Sequence, residues 1–290
     1  MSDIKCIDFK RIVLAIIIST YEQEISMAFS ESMLLPSMGI VYQLPDFDGT
    51  VKVKPFTTKA YKDLLTGNAS EQALTQFVET CLVDCPIKAK NMNQQDILAI
   101  LFKIRAMTLG NNLKTQVTCP RCNTVTTIDW DLNAVDVNYL QVEKYPIPIV
   151  LPSGKEIKLR FPTGADTIKA KAAAEKRASM FKKDPSEFTN LYTIVSLLDV
   201  DSMDIVEKAD WYENISPKDA VYINEAFKQM DDVFGVKMTQ DMQCASCDRY
   251  YTTHIDIWAD FFRPDSSVSL GITSKAGNLS GITKLPDISE

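Results

Sequence analysis

Four of the seven cysteines in this chain fall into two pairs with identical spacing, Cys119-Pro120-Arg121-Cys122 and Cys244-Ala245-Ser246-Cys247. Each pair opens a run of threonines, Ile-Asp and a tryptophan: Thr126-Thr127-Ile128-Asp129-Trp130 after the first, and Thr252-Thr253-His254-Ile255-Asp256-Ile257-Trp258 after the second. Two cysteines separated by two residues in a tight turn aim both sulfurs at one point, and four such thiolates complete the tetrahedron that zinc prefers. The duplicated pattern therefore predicts one structural metal site with Cys119, Cys122, Cys244 and Cys247 as its ligands and zinc as the cofactor. The same donors also suit iron. Between Cys122 and Cys244 lie 121 residues, where a compact zinc ribbon has about 15–20. Closing the longer loop costs only about 1.5–2 kcal/mol more, small beside the roughly 10–16 kcal/mol that a structural zinc site supplies.

Two local disulfides, a pair of redox-active dithiols and ordinary buried thiols are the competing readings. Redox pairs sit at the start of a helix, whose dipole lowers the thiol pKa. Strand-like residues follow both pairs here. Cys6, Cys81 and Cys85 read as reduced thiols, with Cys81 and Cys85 on a helix face.

The elements that must carry these cysteines are legible from periodicity. An N-terminal arm, residues 1–56, holds an apolar run from Ile12 to Ile18, a polar bend near Glu22–Glu31, an Asp48-Gly49 turn and the alternating strand Val51-Lys52-Val53-Lys54. Asp46-Phe47-Asp48-Gly49 lacks the further ligands of a calcium loop. Residues 57–130 read as helices at Lys59–Leu65, Glu71–Asp84 and Gln94–Leu109, followed by the first knuckle between two strands. The last of these helices has Asn93 as its N-cap, Gly110 as its stop, and Ile97, Leu98, Leu101, Ile104 and Met107 as its stripe. Residues 131–233 begin with a hairpin around Tyr145–Arg160, turning at Pro152-Ser153-Gly154. Three helices follow, near Asp166–Lys183, after Asp184-Pro185-Ser186-Glu187, and after Ser216-Pro217-Lys218-Asp219. The third carries Tyr222, Ala226, Met230 and Val233 on one stripe and stops at Gly235. Residues 234–264 hold the second knuckle, and 265–290 form an extended tail too poor in apolar residues to fold alone. The order helix, glycine, strand, knuckle, strand thus occurs twice. The expected fold is α+β: a helical core with a split four-cysteine zinc ribbon, its two knuckles on β-hairpins, and a helical insertion between the halves.

Composition narrows function. A net charge of −7 and a pI near 5.0 disfavour the broad basic face that nucleic-acid binding needs. Lys169, Lys171, Lys176, Arg177, Lys182 and Lys183 share one helix, for which a solvated face is the plain reading. With Arg121, Arg249 and the stacking candidates Tyr250 and Tyr251, they define the alternative of a zinc-ribbon nucleic-acid adaptor. The Ile12–Ile18 run is too short to span a bilayer, and no secretory signal is recognisable, so folding in a cytoplasm is expected. No nucleophile elbow, phosphate loop or His-Glu-x-x-His is recognisable. The single histidine, His254, reads as a spare ligand or a packed imidazole, and four cysteines would saturate a zinc ion and leave no open position for water. Neither catalysis nor a small-molecule substrate is expected.

Leu35-Pro36-Ser37-Met38-Gly39 with Tyr42, then Gly49 and Val51–Pro55, then Asp96-Ile97-Leu98 through Arg105 and Gly110, then Thr118-Cys119-Pro120-Arg121-Cys122, resemble the T-even-type baseplate hub and hub-assembly family of contractile-tailed phages. The resemblance is best over residues 34–130, with the second knuckle and the Trp258–Pro264 stretch added. The helices around 166–233 and the tail 265–290 lie outside it. It implies a non-enzymatic protein of the tail baseplate hub, or of its assembly in the host cytoplasm, whose partners are other baseplate subunits. On that reading, residues 1–33 and 265–290 are expected to bind those partners.

Overall fold

The computed structural model describes residues 29–66, 71–231, 233–255 and 261–262. The apolar run Ile12–Ile18, Trp258 and the tail 265–290 lie outside them.

Strand β1 (Glu31–Leu34), β2 (Thr50–Val53) and β3 (Leu82–Val83) form an antiparallel sheet in the order β1-β2-β3. In β2 the alternation has its expected result: Val51 and Val53 are buried, while Thr50 and Lys52 face water. Helices α1 (Thr58–Thr66) and α2 (Glu71–Cys81) follow, and α3 (Gln94–Leu109) packs against the sheet. The Asn93 side chain accepts from the Gln95 N–H, and Gly110 caps the far end at φ 87°, both as the sequence predicts. Ile100, Leu101 and Ile104 are fully buried, and Ala99, Phe102 and Arg105 nearly so. Burial on so many sides makes α3 the central helix of the first core, wider than the single stripe expected.

Helix α2 is shorter than its sequence pattern. It ends at Cys81, because Leu82 and Val83 pair with Val53 and Lys52 on the open edge of β2, and Asp84 turns left-handed at φ 48°. Cys81 is therefore the last helical residue, and Cys85 lies beyond the helix on which it was expected.

Two hairpins extend from this core: β4 (Asn112–Thr118) with β5 (Val125–Asp131), and β11 (Thr239–Gln243) with β12 (Tyr250–His254). A short pair, β6 (Val137–Asn138) with β10 (Gly235–Val236), brings the chain before the second hairpin back beside the chain leaving the first.

Residues between them build a second core. Strands β7 (Ile147–Val150), β8 (Glu156–Leu159) and β9 (Leu198–Asp199) form a sheet joined by α4 (Gly164–Phe181), α5 (Ser186–Ser196), α6 (Ile205–Asn214) and α7 (Pro217–Met230). Its buried residues include Leu151, Ile157, Leu159, Tyr192, Val195, Leu198 and Ile223. The small residues Ala170, Ala174 and Ala178 form the buried face of α4. The start signals of α4, α5 and α7 are close to where the sequence puts them. Helix α6 is an addition to the three expected, and Asp204 with Glu207 forms the capping box that opens it. The stripe read on α7 is displaced: Ile223 is its buried anchor, while Tyr222 is 45 % exposed and Val233, past the helix, 41 %. Gly235 is not the helix stop, since Asp231 caps α7 and Gly235 opens β10. A Cβ there would meet the Gln95 side chain at 2.1 Å.

The two cores meet at the start of α3. The Asn93 amide donates to Pro162 O at 2.6 Å, and the Gly164 N–H donates to Met92 O at 2.8 Å. A Cβ on Gly164 would stand 2.1 Å from Lys90 O, so this backbone-to-backbone approach requires glycine.

Candidate metal centre

Each cysteine pair occupies the turn of its own hairpin, and the two turns are built alike. The Cys119 N–H donates to Thr124 O at 2.9 Å, and the Asn123 N–H donates to Cys119 O at 3.0 Å. In the second turn, the Cys244 N–H donates to Arg249 O at 2.9 Å, and the Asp248 N–H to Cys244 O at 2.9 Å. Asn123 and Asp248 stand at the same place in the two turns, at φ 56° and 54°, the left-handed region that Asn and Asp tolerate best after glycine.

The turns face each other so that sulfurs from different pairs are neighbours. Cys119 Sγ lies 3.7 Å from Cys247 Sγ, Cys122 Sγ lies 3.5 Å from Cys244 Sγ, and all four sulfurs fall within 4.8 Å of one another. A tetrahedron with metal–sulfur bonds of about 2.3 Å has edges of about 3.8 Å, so the four donors fit a tetrahedral thiophilic cation. All four thiols are free, and their separations exceed the roughly 2.05 Å of a disulfide bond. Cys119 and Cys244, the first of each pair, are buried; Cys122 is exposed and Cys247 half-buried.

Donors around the first pair favour thiolates. Backbone N–H groups of Cys122 and Arg121 hold the Cys119 thiol below its ordinary range. The Thr124 hydroxyl, 3.2 Å from Cys122 Sγ, and the Thr124 N–H bring Cys122 down to about 6. At Cys247 the Arg249 N–H pulls the same way, but desolvation and the three facing sulfurs outweigh it and push the thiol up to about 12. Four negative sulfurs at this spacing repel one another, and a divalent cation is the charge that relieves them. Burial, followed by the charges of the four cysteines, raises the Tyr251 hydroxyl, which has no hydrogen-bond partner among the described residues.

The site uses none of the other candidates named from sequence. His254 is exposed at the end of β12, opposite Thr239, so it is neither a spare ligand nor a packed imidazole. Arg121 and Arg249 are exposed, and Tyr250 is 74 % exposed. Among the described residues, the four cysteines are the one group of His, Cys, Asp and Glu close enough to share an ion.

A second constellation is structural. Asp96, fully buried in the first turn of α3, accepts from the Ser37 N–H at 2.9 Å, the Ser37 hydroxyl at 2.5 Å and the Tyr42 hydroxyl at 2.6 Å. The Asn93 N–H in turn donates to the Tyr42 oxygen at 3.0 Å. Burial raises both the Asp96 carboxyl and the Tyr42 phenol above their ordinary ranges. Buried Arg105 donates to Phe261 O at 2.9 Å and Asn112 O at 2.8 Å, and also to Gly110 O. It thereby ties the chain after the second knuckle to the strand leading into the first. From sequence alone Asp96 is an ordinary acidic residue in a helix's first turn; no local pattern indicates its partners 59 and 54 residues away.

The family model for T4 bacteriophage base plate protein matches residues 37–263. The chain belongs to this family. The match begins at Ser37, takes in Tyr42, Asp96, Arg105 and all four cysteines, and its span includes the helices of the second core. No curated protein and no solved structure matches the chain. As a T4-type base plate protein, this chain is a structural component of a phage baseplate with other phage structural subunits as its partners. None of its described helices is long and apolar enough to cross a membrane.

Proposed function

We propose that this base plate protein serves the central hub of a contractile tail, as a hub component or as a factor that delivers hub subunits, and acts through protein–protein contacts without catalysis. It is made in the host cytoplasm and works at the tail baseplate. The observation that supports this reading is the family match from residue 37 to 263, which takes in the motifs between Ser37 and Cys122 whose order resembles hub and hub-assembly proteins.

Within that role, Cys119, Cys122, Cys244 and Cys247 hold one zinc ion. The two knuckle hairpins belong to separate two-stranded sheets, so a shared ion fastens turns that no β-ladder joins. When bound, zinc supplies a rigid, redox-inert crosslink. The chain's own contribution is the pair of matching turns and the N–H donors that hold thiolates ready.

A null mutant of the phage tests the function. Heads should accumulate without complete baseplates, and mass spectrometry of purified wild-type virions should show whether the chain remains as a stoichiometric component or is confined to assembly intermediates. Normal tails from the null mutant, or efficient hub assembly from the other purified subunits alone, would refute the hub role. Steep salt-dependent binding to nucleic acid would instead favour the adaptor reading.

A further inference from the structure

Helix α4 ends in a corner that is both basic and apolar. From Lys169 to Lys183 the chain has six basic side chains and one acidic, a net +5 in a protein whose total is −7. Arg177 is committed to its own fold: Nη2 donates to Glu213 at 2.7 Å, and the guanidinium lies 5.8 Å from the centre of the Phe181 ring and 5.3 Å from that of Phe188. Lys183 pairs with Glu187. Lys176 and Lys182 are exposed and have no ion-pair partner among the described residues. Between them in sequence stand Met180, 71 % exposed, and Phe181, 59 % exposed. A solvated face accounts for the lysines and leaves these two adjacent apolar side chains without a reason to face water.

We infer that this corner docks an acidic segment of a neighbouring baseplate subunit: Met180 and Phe181 receive an apolar side chain, and Lys176 and Lys182 pair with carboxylates around it. An apolar centre inside a polar rim is the anatomy of a protein–protein contact. The anchor is formed in advance. The Phe181 and Phe188 rings lie 6.3 Å apart, and Arg177, itself held by Glu213, lies close to both, so docking orders little that is not already in place. Charge selects the partner, because Lys176 and Lys182 lack an acid of their own while the rest of the chain is acidic and repels an acidic segment everywhere else. A nucleic acid fits this corner less well. The 18 residues of α4 extend about 27 Å, and a phosphate backbone running past them meets the acidic remainder of the chain. The inference rests on the base plate family, which makes the partners structural subunits, and not on the hub role or the zinc ion.

Photo-crosslinking in the full chain tests it. Ser179, exposed next to Met180, is replaced by p-benzoylphenylalanine in protein supplied during phage infection. The expected product is a cross-link to one segment of another baseplate subunit, identified by mass spectrometry, in which Asp or Glu residues flank an apolar one. Lys176→Glu/Lys182→Glu and, separately, Met180→Asp should each lower the yield about tenfold or more, with zinc content and unfolding midpoint as controls for folding. Lys176→Arg/Lys182→Arg should retain it. Changing the partner's flanking acids to lysine should restore the yield with the Lys176→Glu/Lys182→Glu chain. Undiminished cross-linking by that folded, charge-reversed chain would overturn the inference. So would the lack of any cross-link, or cross-links to a second copy, to nucleic acid or to a segment without carboxylates. A cross-link to an acidic segment of a subunit outside the hub would bear out the docking site and count against the hub role instead.

Discussion

Asn123 and Asp248 occupy the same position in two turns 125 residues apart in sequence and adopt the same left-handed backbone, at φ 56° and 54°. Each donates its N–H to the carbonyl of the first cysteine of its pair. Left-handed backbone costs a β-branched residue about 1–2 kcal/mol and glycine almost nothing. Asn123→Val and Asp248→Val should therefore each destabilise the knuckle by about 1–2 kcal/mol, and the corresponding glycine variants by a few tenths at most. Chemical denaturation of the metal-loaded protein would check this. Equal effects of valine and glycine would mean that the side-chain polarity, and not the backbone, matters at these positions.

Zinc content should be one ion per chain, lost on replacement of any of Cys119, Cys122, Cys244 or Cys247 by serine. Chelation should loosen the two hairpins before the second core, because the hairpins belong to separate sheets and structural metal sites contribute folding energy directly. Native mass spectrometry and amide exchange read both effects. Full metal content in a serine variant would remove that residue from the ligand set.

The thiols should differ in reactivity once metal is removed. Cys122, held down to about 6 by the Thr124 hydroxyl and N–H and exposed to solvent, is a thiolate at pH 7, whereas Cys247, pushed up to about 12, remains protonated. Alkylation at pH 7 should label Cys122 first and Cys247 last, with the Cys122 rate falling as pH drops through about 6. A Thr124→Val change should raise the Cys122 midpoint and slow its labelling at neutral pH. Uniform labelling of the four thiols would contradict the described donors.

The cluster of four cysteines is more legible in the sequence than the framework that assembles it. Cysteine spacing is a local signal, so Cys119, Cys122, Cys244 and Cys247 could be named together despite their separation. Caps are local too, which is why Asn93, Gly110, Ser216 and Pro217 marked their helices well. The Asp204 and Glu207 capping box was equally local and would have revealed α6. Long-range competition was not legible: Leu82 and Val83 leave the helical pattern only because the edge of β2 is beside them. His254 was misassigned because proximity to a knuckle in sequence does not set which face of a strand a residue occupies. The motif residues between Leu35 and Asp96 gain a physical basis from the same geometry. Ser37, Tyr42 and Asp96 share one buried network, and a Cβ on Gly39 would lie 2.8 Å from the Gly49 nitrogen.

The junction between the cores gives a steric prediction. Gly164→Ala would bring a Cβ to 2.1 Å from Lys90 O, and the atom it meets is backbone, which cannot turn away as a side chain would. The Gly164 N–H bond to Met92 O would lengthen or break. A loss of about 2 kcal/mol or more is expected from overpacking of this kind, seen as a lower unfolding midpoint with the zinc stoichiometry unchanged. An unaltered midpoint would mean that the two cores can separate slightly at this point.

The last prediction concerns Asp96 and separates hydrogen bonding from charge. Replacing it with alanine strands the Ser37 N–H, the Ser37 hydroxyl and the Tyr42 hydroxyl in a buried space. At about 1–3 kcal/mol for an unsatisfied buried group, Asp96→Ala should cost more than about 3 kcal/mol. Asp96→Asn keeps an acceptor and should cost less. Burial raises the Asp96 carboxyl above its ordinary range despite the three donors. A carboxyl whose folded pKa exceeds its unfolded value binds its proton more tightly in the folded state, so its stabilising contribution is complete below the unfolded pKa of about 3.9 and is lost as pH rises through the folded value. Carboxylates such as Asp219, where hydrogen bonding from the Ser153 N–H outweighs burial and lowers the pKa, act in the opposite direction. The informative quantity is therefore the stability of wild type minus that of Asp96→Asn, measured by denaturant unfolding between pH 4 and 8. That difference should shift against wild type as pH rises, and a difference that moves toward wild type instead would show that the three donors hold Asp96 as a stable carboxylate.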